Sequence, residues 1–231
     1  GSYAVTVGTD GSVSWKLQNG VQPVYPETGS WLYAVAISPT GVSDGSGNVS
    51  YTLTGKEDLL YAPEIRGNSY DKPLEFSHLL TRLQLKACKK QADGLAVKIT
   101  CVKVNEAESA VTLLLATGVP TFSGAKGLSL LPGEGGTGKE VPSDGTTIAL
   151  GDLLLPPLTA GHTYTLDVET STGTYQNIPI VFSGAPATTK FQAGVSHEVT
   201  LTLSDNELGI LSVKVTPWEL VSVDDDLDLV P

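Results

Sequence analysis

Apolar residues in this chain recur at every second position, and almost nowhere at the spacing of a helix. Tyr3, Val5 and Val7 alternate with Ala4 and Thr6, and Val49, Tyr51 and Leu53 with Ser50, Thr52 and Thr54. The pattern returns at Leu95, Val97, Ile99 and Cys101, at Val111 to Leu115 and at Thr147 to Leu150. Tyr164, Leu166 and Val168 stand against Thr163, Thr165 and Asp167; Ile178, Ile180 and Phe182 follow. Val199, Leu201 and Leu203 oppose Thr200 and Thr202, and Val213 and Val215 close the series. Successive strand side chains point to opposite faces, so this alternation predicts strands with one face on a core and one in water. Trp31, Tyr33, Val35 and Ile37 alternate with residues that are themselves apolar, Leu32, Ala34 and Ala36, which predicts a strand covered on both faces. No segment holds a 3.6-residue period for three turns. The expected fold is all-β, built of antiparallel sheets.

The glycine-rich stretch from Gly118 to Gly145 separates two groups of strands of similar style. It predicts two tandem β-sandwich domains, residues 1–125 and 126–231, the second carrying an acidic tail. With 231 residues the chain is long enough to bury about 70% of its unfolded surface, so it needs no metal or disulfide to hold a core. No cofactor is expected. A net charge of -11 repels nucleic acid and anionic lipid, and no basic stripe offsets it. No apolar run reaches the ~20 residues of a membrane helix. The chain holds no methionine and opens Gly1-Ser2, so it is expected to lack the first residue and any export signal of its precursor.

One stretch mixes two periods. In Leu74–Ala87, "LEFSHLLTRLQLKA", Phe76, Leu79, Leu80 and Leu83 have helical spacing, whereas Leu83, Leu85 and Ala87 alternate with Arg82, Gln84 and Lys86. One extra residue at Leu79/Leu80 reconciles them as a single bulged strand, preferred here over a short helical turn. It would place Phe76 and His78 on the core face, with the His78 imidazole bonded to backbone.

Motifs of catalysis fail on context. Gly41–Gly45, "GVSDG", has the letters of a nucleophile elbow around Ser43, but a turn and strand follow where a helix is required. Gly133–Glu140, "GEGGTGKE", puts Glu140 where a P-loop needs Ser or Thr, and is expected to be a flexible loop. The run from Asp44 lacks the glycine and the bidentate glutamate of a calcium loop, having Val49 and Gly55 there. His78, His162 and His197 lie far apart with no ligand spacing; His162 and His197 share parity with core residues. An enzyme is not expected. The turn after Lys89 would set Cys88 opposite a residue near 95, with Cys88 outward and Cys101 inward. Two free thiols are expected, Cys101 buried.

Taken together, these segments resemble a known family. "LEFSHLLTRLQLKA", "DLLLPPLTAGHTYTLDV", "FQAGVSHEVTLTL" and "GILSVKVTPWEL", which ends its strand in Trp218, follow one another as the motifs of fimbrillin-like proteins do. "GSWLYAVAI" and "VSYTLTG" fit that family's early strands. The resemblance implies subunits of type V pili of Gram-negative anaerobes, with two transthyretin-like β-sandwich domains. It implies export as a lipoprotein precursor and location at the cell surface in an outer-membrane-associated fimbria. It also implies maturation by an Arg-specific protease and head-to-tail assembly, in which a neighbour's strand fills a groove. No cysteine stands near the start of this chain, and its first arginine is Arg66. Other pilus subunits are the partners implied, together with a host or bacterial surface ligand.

The tail suits such a donor strand. After Trp218 it reads "ELVSVDDDLDLVP", with Val221, Val223, Leu227 and Leu229 at alternate positions around Asp224–Asp226. Those four residues are the candidate partner-binding site, lending alternate side chains to pockets while the backbone completes a sheet. The competing readings are a solvated acidic tail and, for the whole chain, a secreted carbohydrate-binding or adhesin module using Trp15 and Tyr25 in loop-like sequence.

Overall fold

The computed structural model describes residues 4–7, 13–16, 32–67, 74–90, 96–159, 161–180, 191–204 and 208–218. Its first strands are β1 (Ala4–Val7), β2 (Val13–Lys16), β3 (Leu32–Ser38), β4 (Val42–Ser43), β5 (Asn48–Thr52), β6 (Leu60–Gly67), β7 (Ser77–His78) and β8 (Thr81–Lys89). Then come β9 (Val97–Leu114), β10 (Val119–Leu130), β11 (Lys139–Val141), β12 (Ile148–Leu155), β13 (Thr165–Thr170), β14 (Thr174–Pro179), β15 (Val195–Leu203) and β16 (Leu208–Pro217). The described residues contain no α-helix, as the period-2 pattern requires.

Two sheets form the centre. One runs β12-β8-β15-β16; the other runs β14-β13-β9-β5-β4, with β10 and β11 also paired to β9. Their inner faces share a core. Leu83, Leu85, Leu153, Leu155, Val199 and Leu201 come from the first sheet, and Ile99, Val102, Val104, Val111, Leu166 and Val168 from the second. This is sheet-on-sheet packing, in which two alternating faces interdigitate. A smaller sheet, β3-β6-β7, and the hairpin β1-β2 complete the described strands.

Among the described strands the pairing departs from the expected antiparallel pattern at one place. β8 and β15 run parallel, with Leu83 beside His197 and Leu85 beside Val199. Alternation reads the same in either direction, so it carries no information about polarity. The stretch around His78 is also not one bulged strand. β7 pairs with β6 and β8 with β12 and β15, so the chain changes sheets at Leu79 and Leu80, where Leu79 N–H bonds Leu59 C=O at 2.8 Å. The strand expected to be covered on both faces, β3, leaves Tyr33 56% exposed. Gly133–Glu140 is not a loop throughout: a 3-10 turn at Glu134–Gly136 leads into β11, which pairs with Val97–Ile99.

β9 and β10 form a long bent hairpin. Pairing slips between Ser123 and Lys126 and again between Lys126 and Leu128. Gly124 and Gly127 take φ of +91° and +103°, open to glycine, and Glu106 opposite takes +64°. On one side of the bend β9 pairs with β13, on the other with β5. Residue 125 lies inside β10. Strands from before and after it share sheets and core, β8 lying between β12 and β15.

Both cysteines are free, but their exposures are the reverse of those expected. β9 bulges where Glu169 faces Cys101 and Thr170 faces Ile99. The buried residues therefore run Ile99, Val102, Val104, and Cys101 is turned to the half-exposed outer side. Cys88 is buried beside its cross-strand neighbour Thr202. The two do not flank one hairpin, since β8 and β9 lie in different sheets.

Candidate functional site

Trp218 follows the last strand and is fastened from three directions. Its N–H donates to Gly194 C=O at 2.8 Å. Its ring stacks on His78 at 3.7 Å between centroids and 11° between planes. The Arg82 guanidinium lies 5.8 Å from the ring centroid, within the range of a cation–π contact. His78 in turn donates Nδ1–H to Asp58 Oδ1 at 2.9 Å. Arg82 donates through Nε and Nη2 to Asp152 Oδ2. A chain of carboxylate, imidazole, indole, guanidinium and carboxylate therefore joins the sheet switch, β8, β12 and the end of β16.

His78 is accordingly only 9% exposed in its side chain, as a core role requires, but its partner is Asp58 rather than backbone. The sheet switch brings His78 beside the loop before β6, where Asp58 lies. Next to this cluster, Gly55, Lys56, Arg82, Asp152, Leu154 and Trp218 line a concavity on the outer face of the first sheet. Leu154 N–H is held by Gly55 C=O at 2.7 Å, which fixes one wall.

The other sequence candidates sit elsewhere. Ser43 is in an exposed hairpin, and its Oγ accepts from Gly45 N–H at 3.2 Å. Asp44 is used by the same hairpin. The Asn48 amide and the Ser46 and Asn48 N–H groups hold its carboxyl below the usual range. His162 is exposed at a turn beside Thr159, not in the core. His197 is fully buried. Phe191 N–H donates to its Nε2 at 3.2 Å, which leaves the ring proton on Nδ1 for Thr81 Oγ1, and Thr81 donates onward to Val195 C=O. That closed network is structural. Tyr164 is equally enclosed: its hydroxyl donates to Pro156 C=O, and burial, then the Glu108 charge, push its pKa far up. Among the described residues no cluster of three or more His, Cys, Asp or Glu is placed to hold a metal. No described helix is long and apolar enough to cross a membrane.

Trp15 lies in β2, opposite Val5, rather than in a loop. Tyr25 and the tail residues Val221, Val223, Leu227 and Leu229 lie outside the described residues. The Trp218 cluster was not among the sequence candidates. Its only signal there was a lone tryptophan ending the last alternating segment.

The end of β16, the last described strand, is thus fastened to the rest of the sandwich through Trp218. The family model for fimbrillin-like proteins matches residues 2–218, and the chain belongs to that family. A solved protein proposed to act in cell adhesion, from Bacteroides uniformis, superposes with a TM-score of 0.63 at 19% identity, covering 94% of this chain and 84% of that one. A second such protein, from Bacteroides ovatus, gives 0.60 at 17%, covering 91% and 76%. A fimbrial protein of Bacteroides vulgatus gives 0.56 at 15%, covering 92% and 84%. At these identities the likeness is one of fold. No curated protein sequence matches the chain. The family supports a pilus- or adhesion-related subunit at the cell surface, assembling with other subunits and structural rather than catalytic in character.

Proposed function

We propose that the chain is a structural subunit of a cell-surface type V pilus that joins its neighbours head to tail by strand donation. The observation that carries this reading is the Trp218 lock. It fastens the end of β16 to His78, Arg82 and Gly194, immediately before the segment whose sequence alternates apolar residues from Val221 to Leu229. Val221, Val223, Leu227 and Leu229 then serve as the donated side chains, alternate residues filling a groove in the next subunit. The interface repeats without closing, which is what a filament needs. Passage to the outer membrane as an Arg-processed lipoprotein belongs to the same proposal and is supported by family membership. The test is deletion of Val221 to Pro231. The truncated monomer should melt as the full chain does and fail to assemble with a matured neighbour. Polymerisation of the truncated chain would rule the tail out as donor.

An adhesin reading rests on a separate observation, the concavity where Trp218 adjoins Arg82, Asp152 and Lys56. An aromatic wall with fixed donors and acceptors suits a saccharide. A glycan array that shows specific binding, lost in Lys56→Ala and kept in Trp15→Ala, would favour it.

A further inference from the structure

His197 is fully buried, and both of its ring nitrogens are engaged. Nε2 accepts the Phe191 N–H at 3.2 Å; Nδ1 faces Thr81 Oγ1 at 3.2 Å, whose own proton goes to Val195 C=O. The imidazole thus reaches back along the chain to hold a turn. Phe191 takes φ of +48°, a left-handed conformation that a bulky residue keeps only where its surroundings impose it. Its ring stacks on His197 at 4.7 Å between centroids and meets Tyr164 edge-on at 4.9 Å, and its C=O accepts the Leu158 N–H at 2.9 Å. At the far end of the same turn, Gly194 donates its N–H to Leu80 C=O at 3.0 Å and accepts the Trp218 N–H at 2.8 Å. The turn therefore connects His197 to the backbone hold on the end of β16.

We propose that His197 is a proton-sensitive clasp: while neutral it holds the Phe191–Gly194 turn, and its protonation releases that turn and, with it, the Gly194 hold on Trp218. A neutral imidazole has one acceptor nitrogen, and here the Phe191 N–H occupies it. A second proton belongs on that same nitrogen, so the imidazolium would set N–H against N–H. It would also put a charge where water does not reach, which disfavours the charged form. Around the ring, β8 contributes Thr81 and Leu83, and β16 places Val215 opposite in register. Arg82 and Glu198 alternate to the outer side of the sheet, where they pair with Asp152 and Lys86. Tyr164, behind Phe191, keeps its proton, because burial and then the Glu108 charge push its pKa far up. Once the turn opens, the ring takes up its second proton as pH falls below histidine's ordinary ~6.5; the clasped state does not. The clasp is therefore full above that pH. Below it, opening becomes up to about tenfold easier per pH unit, the linkage of one proton.

Nuclear magnetic resonance on the isotopically labelled full chain, from about pH 8 to about pH 5, tests this. At neutral pH His197 should show a neutral ring with its proton on Nδ1. Protection of the Phe191 and Trp218 amides from hydrogen exchange, taken relative to the unstructured rate at each pH, should fall below about pH 6.5 by up to about tenfold per unit. The amide of Val104, paired on both sides in the second sheet, should keep its protection over the same range. His197→Gln supplies an acceptor that does not titrate and should flatten the pH dependence at both amides. His78 lies on the Trp218 ring, so His78→Gln serves as a control and should leave the Phe191 response unchanged. His162→Gln, at an exposed turn, should alter neither. The proposal is overturned by an imidazolium at His197 in the folded chain at neutral pH, or by protection at either amide that is indifferent to pH. An unchanged pH dependence in His197→Gln overturns it too, as does an equal fall at Val104, which would mark global unfolding. Should His197→Gln fail to fold, the ring state and the contrast between Phe191 and Val104 in the unsubstituted chain decide the question.

Discussion

Before the bend in the β9–β10 hairpin, β9 turns Ile99, Val102 and Val104 inward and Lys98 and Lys103 outward; after it, Val111 and Leu113 face in while Ala110, Thr112 and Leu114 face out. One strand in one sheet thus keeps a constant inner face and changes its outer one. The inner face answers to the sandwich, which excludes water equally at both ends. The outer face answers to whatever the molecule meets. Before the bend that is solvent, with Lys103 set opposite Asp167 across the strands. Beyond it, Thr112 and Leu114 lie across from Ser50, Asn48, Thr121 and Val119, none of them ionisable.

The largest effects should show that the inner faces are equivalent. Ile99→Ala and Leu113→Ala each remove a fully buried side chain and should each cost about 2–5 kcal/mol in urea unfolding. A cost below ~1 kcal/mol for Leu113→Ala alone would mean that the inner face beyond the bend is less closely packed than the inner face before it.

Tyr164→Phe comes next. It leaves Pro156 C=O without its donor and should cost about 1–2 kcal/mol. The pH dependence has a definite sign. The folded pKa lies above the ordinary 10, so the folded state holds this proton where the unfolded state releases it. Stability conferred by Tyr164 is therefore full below pH 10 and falls as pH rises beyond it. The fall should be shallower in Tyr164→Phe.

Outer-face substitutions should separate the two ends. Asp167 accepts from Asn177 N–H and the Asn105 amide, each at 2.8 Å, and the first of these contributes most to lowering its pKa. Asp167→Ala should cost about 1 kcal/mol, most of it local because the site is half-exposed. In the unsubstituted chain this contribution is present above the carboxyl's ordinary 3.8 and is lost as pH falls through the lowered folded value. Thr112→Ala, beyond the bend, should stay within about 0.5 kcal/mol of the parent. Equal costs at the two positions would erase the contrast.

The smallest effect is kinetic. Burial, then the Glu169 charge, raise the Cys101 thiol above its usual range. Alkylation of the native chain should be slow at neutral pH and quicken with pH, Cys101 reacting before the more buried Cys88. Mass spectrometry that found Cys88 modified first would contradict the bulge that turns Cys101 outward.

Much of this was legible in the sequence. Tyr164, Leu166 and Val168, and likewise Val199, Leu201 and Leu203, are buried as their alternation requires. The hairpin at Ser43 and the family were readable too, the latter from the order of short motifs matched over residues 2–218. Missed elements share a cause. β10 passes through a glycine-rich run that reads as a spacer, because Gly124 and Gly127 serve a bend in a strand rather than a break between strands. The inward assignment of Cys101 failed because one bulged residue reverses every later position. The candidate site was harder still. Asp58, His78, Arg82, Asp152 and Trp218 come from segments spread over most of the chain, and no local spacing links them.

What the sequence determined by itself is therefore the class of structure: alternation of period two, interrupted by turn residues, admits strands and little else. That signal is local, since each side chain's face follows from its immediate neighbours. Which strands pair, and in which direction, only the tertiary structure decided. β8 meets β15 in parallel across more than a hundred residues, and Trp218 meets His78 across a still longer separation. Such contacts depend on how two whole faces fit around one core, and the same alternating pattern is compatible with many pairings until the others have formed.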